Sequence, residues 1–241
     1  MPDTPYDAIA DWYDDYIERR PIYREILLPA LLSLTGGVDG REVCDLACGQ
    51  GFISRELARR GARVTGADIS EKLLDLARAY EAREPLGIRY LLDDVQHGAA
   101  LPDTSFDGAV CSMALMPIPD LAATFATVRR ILRPGGWFVF AITHPCFQTP
   151  HARWVRAEDG TISRQVGDYF NERYWSAENS SGVRGQVGEY HRTLSTYLNT
   201  LIAAGLRLDR LEEPAATGPS AEREPENASV PSLLLVRAVR G

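Results

Sequence analysis

Residues 45–51 of the 241-residue chain read DLACGQG, and this stretch decides the fold class. A short apolar run, residues 43–46, leads into it, and residues 52–60 after it have a helical pattern. An acidic residue, two small residues and two glycines therefore lie where a strand passes into a helix. In an open α/β sheet, the first strand-to-helix turn is the usual place for a ligand. The stretch therefore predicts a ligand-binding turn. Residues elsewhere in the chain are needed to identify the ligand.

Strand and helix patterns alternate along the chain around this turn. Strands are predicted at residues 42–47, 64–68, 89–92, 107–113, 137–143, 206–213 and 230–239. Helical patterns separate the first five, and alternation of this kind is typical of a doubly wound parallel sheet. We therefore predict an α/β fold whose mostly parallel sheet has seven strands, with an insertion after the fifth strand.

One domain can contain the whole chain, because α/β folds of this length are often undivided. Within a single domain, 1–241, we predict a helical cap at 1–36, a cofactor-binding core at 37–143, a substrate-covering insertion at 144–190, and a C-terminal helix and strands at 191–241. The Arg-Pro-Gly-Gly run at 133–136 predicts a helix end. The stretch 214–229, rich in Pro and Glu, is expected to be mobile.

Charge and cysteine spacing limit the classes of ligand. The net charge of −7 argues against a nucleic-acid partner, since proteins that bind phosphate backbones usually carry a basic surface. Cysteines 44, 48, 111 and 146 form no CxxC pair, which predicts buried reduced thiols and no metal site. We expect a metal-independent protein with a small-molecule partner.

Two further features favour a cytoplasmic protein that does not bind membranes. No apolar run approaches the roughly 20 residues needed to cross a bilayer. The N-terminus is acidic and aromatic, where a signal peptide would be basic and then apolar. The sequence leaves the oligomeric state open between monomer and homodimer.

Three carboxylates indicate the kind of ligand that the turn holds. Asp45 would repel a pyrophosphate, and Ser54 stands where a dinucleotide-binding GxGxxG fingerprint has Gly or Ala. Asp68 ends the second strand about 20 residues after the glycines, where a carboxylate accepts ribose hydroxyls. Asp94 ends the third strand and can accept a hydrogen bond from an exocyclic amine, although Asp93 would serve after a one-residue shift. The set suits an adenosine with an amino-acid tail and a positive sulfur.

The chain resembles the class I S-adenosylmethionine-dependent methyltransferases over residues 40–143, and more loosely at its ends. The resemblance rests on the stretches VCDLACGQG, VTGADIS, LLDDVQHGAALPDTSFDGAV, CSMALMPIPD and ILRPGGWFVF, in this order and spacing. It implies a Rossmann-like fold, S-adenosylmethionine as the cofactor, S-adenosylhomocysteine as the product, and a small-molecule methyl acceptor.

The resemblance also implies roles for single residues of the turn. Gly49 and Gly51 let the backbone approach the methionine part, and Asp45 lies on the side of its amino group. Asp68 binds the ribose, and Asp94 takes the adenine amine. For the glycines and Asp45, a tight turn and a helix-capping carboxylate are the alternative interpretations.

Further cofactor contacts are implied beyond the turn. The Val95 backbone contacts the adenine edge, and the Cys111 carbonyl meets the ammonium group. Tyr13 resembles a position that closes over the methionine carboxylate, although an aromatic residue at helical spacing is equally well explained by packing. Ala47 and Ile69 complete the predicted cofactor-binding set.

Methyl transfer from a sulfonium is an in-line displacement that depends on positioning and on exclusion of water. A phenol or enol acceptor must also lose a proton, and histidine is the natural base. His144 follows the fifth predicted strand and His191 opens the last predicted helix, both beside the edge of the sheet that faces the substrate. We therefore predict one of them as the base or as a group that orients the acceptor. Helix capping or a satisfied loop histidine is the alternative.

The insertion is expected to form the acceptor pocket. Its aromatic residues are Phe147, Trp154, Tyr169, Phe170, Tyr174 and Trp175, which would suit an apolar or aromatic acceptor or form a small core of their own. Five arginines, at 153, 156, 173, 184 and 192, offer sites for an acidic group. We predict methylation of oxygen or carbon rather than nitrogen. A non-catalytic cofactor-binding helper or sensor, and an NAD-dependent oxidoreductase, are the alternatives.

Overall fold

The computed structural model describes residues 4–241, so the first three residues of the predicted cap at 1–36 lie outside the described range. The main sheet consists of β1 (Glu42–Leu46), β2 (Arg63–Asp68), β3 (Arg89–Leu92), β4 (Phe106–Ser112), β5 (Leu132–Thr143), β10 (Leu206–Glu212) and β11 (Leu233–Arg240). Its order is β10-β11-β5-β4-β1-β2-β3. The first five strands are parallel, and β11 and β10 add antiparallel. The predicted doubly wound, mostly parallel seven-stranded sheet is confirmed.

Helices cover both faces of this sheet. They are α1 (Ala10–Arg19), α2 (Leu28–Thr35), α3 (Phe52–Ala58), α4 (Glu71–Arg83), α5 (Leu121–Ile131), α6 (Val183–Val187), α7 (Leu194–Ala203), α8 (Gly218–Arg223) and α9 (Glu226–Ser229). A 3-10 turn, Asp7–Ile9, precedes α1, and a π-helix, Ile22–Leu27, precedes α2.

Local side-chain signals start two of these helices. The Ser70 hydroxyl accepts the Leu73 N–H at the start of α4. The Asp120 carboxylate accepts the Ala123 N–H at the start of α5. The helix α5 ends at Ile131, and the Arg-Pro-Gly-Gly run follows as the beginning of β5, so this run belongs to the strand rather than to the helix end.

Strand alternation divides the core into two clusters, one on each face of the sheet. Along β5, Phe138 and Phe140 pack toward α5, where Phe125 meets both rings. Their neighbours Trp137 and Val139 point to the other face, against the cap and α3. Both faces of the sheet are therefore buried, as expected for parallel strands.

The segment between β5 and β10 forms two small sheets outside the main one. One pairs β6 (Arg153–Arg156) with β7 (Ile162–Gln165), and the other pairs β8 (Arg173–Trp175) with β9 (Glu189–His191). The Tyr190 N–H donates to the Met116 carbonyl at 2.8 Å, which joins β9 to the loop after β4. The insertion predicted after the fifth strand is present.

The stretch 214–229 is helical and docked, where the sequence predicted mobility. It contains α8 and α9, and Ala216 and Ser220 are buried. The Ser220 hydroxyl and the Arg223 guanidinium both donate to the Glu25 carboxylate of the cap. Polar side chains of this stretch thus find partners in a segment that is distant in sequence. Composition alone does not reveal such partners.

Among residues 4–241, no helix is both long and apolar enough to cross a membrane.

Candidate active site

Two neighbouring cavities lie at the carboxyl edge of the parallel strands. The first, which we call the Asp68 cavity, has a volume of about 370 Å³ and is lined by the ends of β2 and β3 and by the cap. The second, the Glu189 cavity, has a volume of about 390 Å³ and lies between the cap and the insertion. Both are within the usual range for small-molecule sites. The two share Tyr6, Tyr13, Met113 and Pro117 as lining residues.

Most of the predicted cofactor-binding residues lie together in the Asp68 cavity. Its lining includes Tyr13, Ala47, Gly49, Asp68, Ile69, Asp94 and Val95. Sheet topology explains the grouping, because the strand order reverses between β1 and β4 and the adjacent turns diverge there.

Asp68 holds the glycine turn against β2. Its carboxylate accepts the Gly49 N–H and the Ser70 N–H, each at 2.8 Å. Gly49 has φ +55°, a left-handed conformation that glycine adopts without strain. A carboxylate has about four acceptor positions, so Asp68 can still accept a hydrogen bond from a hydroxyl group of a ligand. Burial raises the pKa of Asp68 to about 6 against these hydrogen bonds, which favour the charged form.

Asp45 lies below the turn and is 1% exposed. It lines a small recess between Gly49 and Tyr13. The Ser54 hydroxyl donates to its Oδ2 at 2.5 Å, so the residue that replaces the third glycine of a dinucleotide fingerprint supports this carboxylate. Burial raises the pKa of Asp45 to about 7, opposed by the Ser54 hydrogen bond. A cationic group in the recess would restore the ionised form.

Asp93 and Asp94 have different surroundings. Asp93 is buried and accepts the N–H groups of Ala99 and Ala100, so its carboxylate closes the loop after β3. Asp94 accepts the backbone and side-chain N–H groups of Gln96 and is half-buried. Both contribute to the lining, but Asp94 is the one whose contacts are confined to its own turn.

Gly51 and Cys111 lie outside the lining of the Asp68 cavity and its recess. A Cβ on Gly51 would come within 2.3 Å of the Tyr90 hydroxyl oxygen, so packing explains this glycine. Cys111 is fully buried in the core. Its successors Ser112 and Met113 line the recess, and Met113 has φ +57°. The ligand contacts predicted for Gly51 and Cys111 stay predictions.

His144 is engaged on both sides of its ring. Its Nε2 lies 2.6 Å from Glu213 Oε1, and its Nδ1 accepts the Cys146 N–H at 3.2 Å. This pattern favours the neutral tautomer with the proton on Nε2. Burial also lowers the pKa of His144, although Glu213 opposes the shift. His144 is not among the residues that line either cavity.

His191 likewise lies outside both linings. It is buried in β9, its Nε2 lies 2.8 Å from the Tyr169 carbonyl oxygen, and the Tyr169 ring packs edge-on against it. Each of the two predicted bases is therefore held by hydrogen bonds to the protein itself. These bonds match the alternative interpretation, which is a histidine whose hydrogen bonds are satisfied by its neighbours.

Cap tyrosines, and not the insertion, provide the aromatic lining of the Glu189 cavity. Tyr6, Tyr13, Tyr16 and Tyr23 line it together with Met113 and Met116. Of the six insertion aromatics, Tyr174 lines the Asp68 cavity, and the other five lie outside both linings. Phe170, for example, is 88% exposed. Phe147 packs against His144, and the Trp154 and Trp175 rings lie against Arg164 and Arg184, so these aromatics contact other residues of the insertion. Their role in an acceptor pocket stays a prediction.

The five arginines predicted as sites for an acidic group also have different surroundings. Arg184 lines the Glu189 cavity, and its Nε donates to Glu189 Oε1 at 2.5 Å. Arg192 is buried and donates to the carbonyls of Leu115, Ile118 and Pro119. Arg173 pairs with Asp168, and Arg153 and Arg156 lie on the exposed β6–β7 hairpin.

No group of three or more His, Cys, Asp or Glu side chains that could hold a metal ion is found in the part of the chain from residue 4 onward. Metal independence stays a prediction.

Comparison with known proteins agrees with this geometry. A family model described as a methyltransferase domain matches residues 44–140. A solved structure of an S-adenosylmethionine-dependent methyltransferase from Mesorhizobium loti is 35% identical, with a TM-score of 0.76, over 93% of this chain and 100% of that one. A methyltransferase structure from Listeria monocytogenes, described as S-adenosylmethionine dependent, is 25% identical over 97% and 99%, with a TM-score of 0.72.

A curated relative, the ubiquinone biosynthesis O-methyltransferase of Alkalilimnicola ehrlichii, is 32% identical over 139 residues. That match covers 56% of this chain and 56% of the relative, so the chain spans about half the length of this relative. The near-complete match to the Mesorhizobium loti protein, together with the glycine turn and the strand order, shows that the chain belongs to the class I S-adenosylmethionine-dependent methyltransferases.

Proposed function

We propose that this protein transfers the methyl group of S-adenosylmethionine to an oxygen or carbon atom of a small, apolar or aromatic metabolite. The observation that carries the proposal is the junction of the two cavities. Tyr6, Tyr13, Met113 and Pro117 line both, so a donor in one and an acceptor in the other would meet there without crossing solvent.

The residues of the Asp68 cavity fit the methyl donor. The free acceptor positions of Asp68 would take ribose hydroxyls, and Asp94 with the Val95 backbone would take the adenine. Asp45, which burial keeps poorly ionised, would gain a partner in the ammonium group. When bound, the cofactor supplies a methyl group already activated by the sulfonium. The protein contributes positioning and a site closed to water.

An NAD-dependent reaction is disfavoured by the same residues. A pyrophosphate at the glycine turn would meet the buried Asp45 carboxylate, and a negative ligand beside a carboxylate is repelled.

The lining of the Glu189 cavity indicates the kind of acceptor. Four tyrosine rings and two methionines provide an apolar wall. The polar and charged groups of the lining include Gln148, Asn179, Glu189, Arg20 and Arg184. This composition is typical of sites for small organic molecules with one or two polar substituents. We propose that the cap and the insertion together enclose this acceptor. The likeness to an O-methyltransferase of ubiquinone biosynthesis favours oxygen over nitrogen.

A direct test incubates the protein with S-adenosylmethionine carrying a labelled methyl group and with a panel of small phenols, enols, carboxylates and amines. We expect label in a phenol or enol product and formation of S-adenosylhomocysteine. Tyr13→Ala, which opens the junction of the two cavities, should lower transfer by about 10-fold or more, because alignment of the reacting atoms is lost. Binding of S-adenosylhomocysteine without transfer to any compound would instead indicate a helper or sensor protein.

A further inference from the structure

A single carboxylate lies in the lining of the Glu189 cavity, counted over residues 4–241. Glu189 is the first residue of β9 and is 7% exposed. No histidine shares this lining. The side chain is therefore the strongest proton acceptor that the described residues offer to a molecule in the cavity.

The strand β9 runs along the boundary between the two cavities. Val187 and Tyr190 line the Asp68 cavity, whereas Gly188 and Glu189 line the Glu189 cavity. Consecutive residues of a strand point to opposite faces, so Glu189 and Tyr190 face different cavities across one backbone. The carboxylate thus lies beside the junction where methyl donor and acceptor would meet.

Several contacts fix the position of this strand. Tyr190 N–H donates to the Met116 carbonyl, and Trp175 pairs with Glu189 across β8 and β9. The Tyr174 hydroxyl donates to the Val187 carbonyl at 2.6 Å. A group held by hydrogen bonds to two other segments is preorganised for a directional contact with a ligand.

The two carboxylate oxygens of Glu189 have different partners. Oε1 accepts the Arg184 Nε, and Oε2 accepts no hydrogen bond from any residue in the described range. The groups that face the carboxylate are Arg184 of α6, Tyr6 of the cap and Tyr197 of α7. Burial raises the pKa of Glu189, and Arg184 opposes that shift. A base with a raised pKa takes a proton more readily than an exposed glutamate.

We propose that Glu189 is the catalytic base of this protein and that its acceptor is a phenol or enol whose hydroxyl donates to Glu189 Oε2. The inference rests on the proposed methyl transfer. Glu189 takes the proton that the hydroxyl loses as the acceptor oxygen bonds to the methyl carbon, while the electron pair of the broken carbon–sulfur bond stays on sulfur. Arg184 holds the carboxylate in place through Oε1.

The test compares Glu189→Gln with Glu158→Gln, which removes a carboxylate from the exposed β6–β7 turn. The glutamine oxygen still accepts the Arg184 Nε, so the fold should survive, and affinity for S-adenosylhomocysteine should equal that of the wild type. With a phenol from the panel that the wild type methylates, Glu189→Gln should lower kcat by about 100-fold or more. Glu158→Gln should change kcat less than 2-fold, a range typical of exposed substitutions.

The pH profile and a binding probe separate a base from a structural ion pair. Wild-type kcat/KM should rise with pH along a limb whose pKa lies above the ordinary glutamate value, and this limb should be lost in Glu189→Gln. In the complex with S-adenosylhomocysteine, 4-nitrophenol should stay protonated to a higher pH in the wild type than in Glu189→Gln, because a carboxylate beside the hydroxyl disfavours the phenolate.

Equal kcat in the two variants, or equal titration of bound 4-nitrophenol, would overturn the assignment of Glu189. Methylation of amines or carboxylates alone would also overturn it and leave the proposed methyl transfer intact. Failure of the proposed function has a different signature, which is binding of S-adenosylhomocysteine with no methylated product from any compound class.

Discussion

At the scale of single residues, the site depends on two buried carboxylates that form no ion pair with a described side chain. Asp45 and Asp68 are nearly inaccessible to solvent, and burial raises the pKa of both. Their hydrogen bonds come from Ser54, Gly49 and Ser70, with no cationic side chain bound to either among the described residues. Such groups cost stability when ionised, which is typical of sites that await a ligand.

Asp45→Asn tests this cost. In the folded protein the pKa of Asp45 is raised from 3.8 to about 7. Between these values the folded state binds more protons than the unfolded state, so this group lowers the free energy of unfolding as pH rises. We expect the variant to gain stability relative to the wild type from pH 4 to pH 7.5, by at most roughly 4 kcal/mol. Urea unfolding at several pH values measures the difference.

The same variant should bind S-adenosylhomocysteine at least about 10-fold more weakly, because a charged hydrogen bond to the ammonium group is lost. The matched control is Asp75→Asn, whose carboxylate is exposed in α4. A stability difference that does not change with pH would contradict the role of the buried charge.

At the scale of elements, the loop between β4 and α5 forms part of both cavities and is held by one buried cation. The Arg192 guanidinium, in the strand-to-helix turn before α7, donates to three carbonyls of this loop and lies 4.9 Å from the centre of the Tyr190 ring. Ile118 and Pro119, whose carbonyls it binds, line the Asp68 cavity. A segment distant in sequence thus shapes the cofactor side.

Arg192→Met should leave these carbonyls without their donor. We expect the free energy of unfolding to fall by roughly 3 kcal/mol, because buried acceptors lose charged hydrogen bonds. Affinity for S-adenosylhomocysteine should fall as well, since the loop loosens. Arg156→Met, on the exposed hairpin, is the control. If Arg192→Met and Arg156→Met have the same urea concentration at the midpoint of unfolding, Arg192 does not hold the loop.

Local signals explain which elements were predictable from sequence. The glycine turn and the five parallel strands depend on neighbouring residues. Strands β1 to β4 lie within one residue of their predicted bounds, whereas β5 begins five residues earlier than predicted. The lining of the Glu189 cavity was not predictable in this way. Tyr16 and Tyr23 reach it only because the cap packs beside the insertion, and Glu189 reaches it through the pairing of β9 with β8. One sequence signal could have pointed to Glu189, because it is an acidic residue two positions before the predicted base His191.

At the scale of the whole molecule, the order of the strands places the two cavities at one edge of the sheet. The reversal between β1 and β4 opens the edge of the sheet where the Asp68 cavity lies, and the cap and insertion close over it. Each cavity takes residues from the cap, the core and the insertion. The site therefore forms only when these three segments are folded together.

Methyl transfer by this assembly should need no metal ion. Asp45, Asp68 and Asp94 are committed to organic groups of the cofactor in the proposed site, and a proton acceptor is available in Glu189. We expect activity to change by less than about 2-fold after dialysis against EDTA. Changes that do not affect an active site usually have effects of this size. Loss of activity that magnesium restores would contradict this expectation.

The most direct test of the central claim is calorimetric titration of S-adenosylhomocysteine into the wild type and into Asp68→Asn, with NAD titrated in parallel. Asparagine keeps one acceptor for the Gly49 N–H, so the turn should persist. We expect the wild type to bind S-adenosylhomocysteine and not NAD, and we expect the variant to lose about 1 to 3 kcal/mol of binding free energy. Binding of NAD, or equal affinity of the two proteins for S-adenosylhomocysteine, would contradict it.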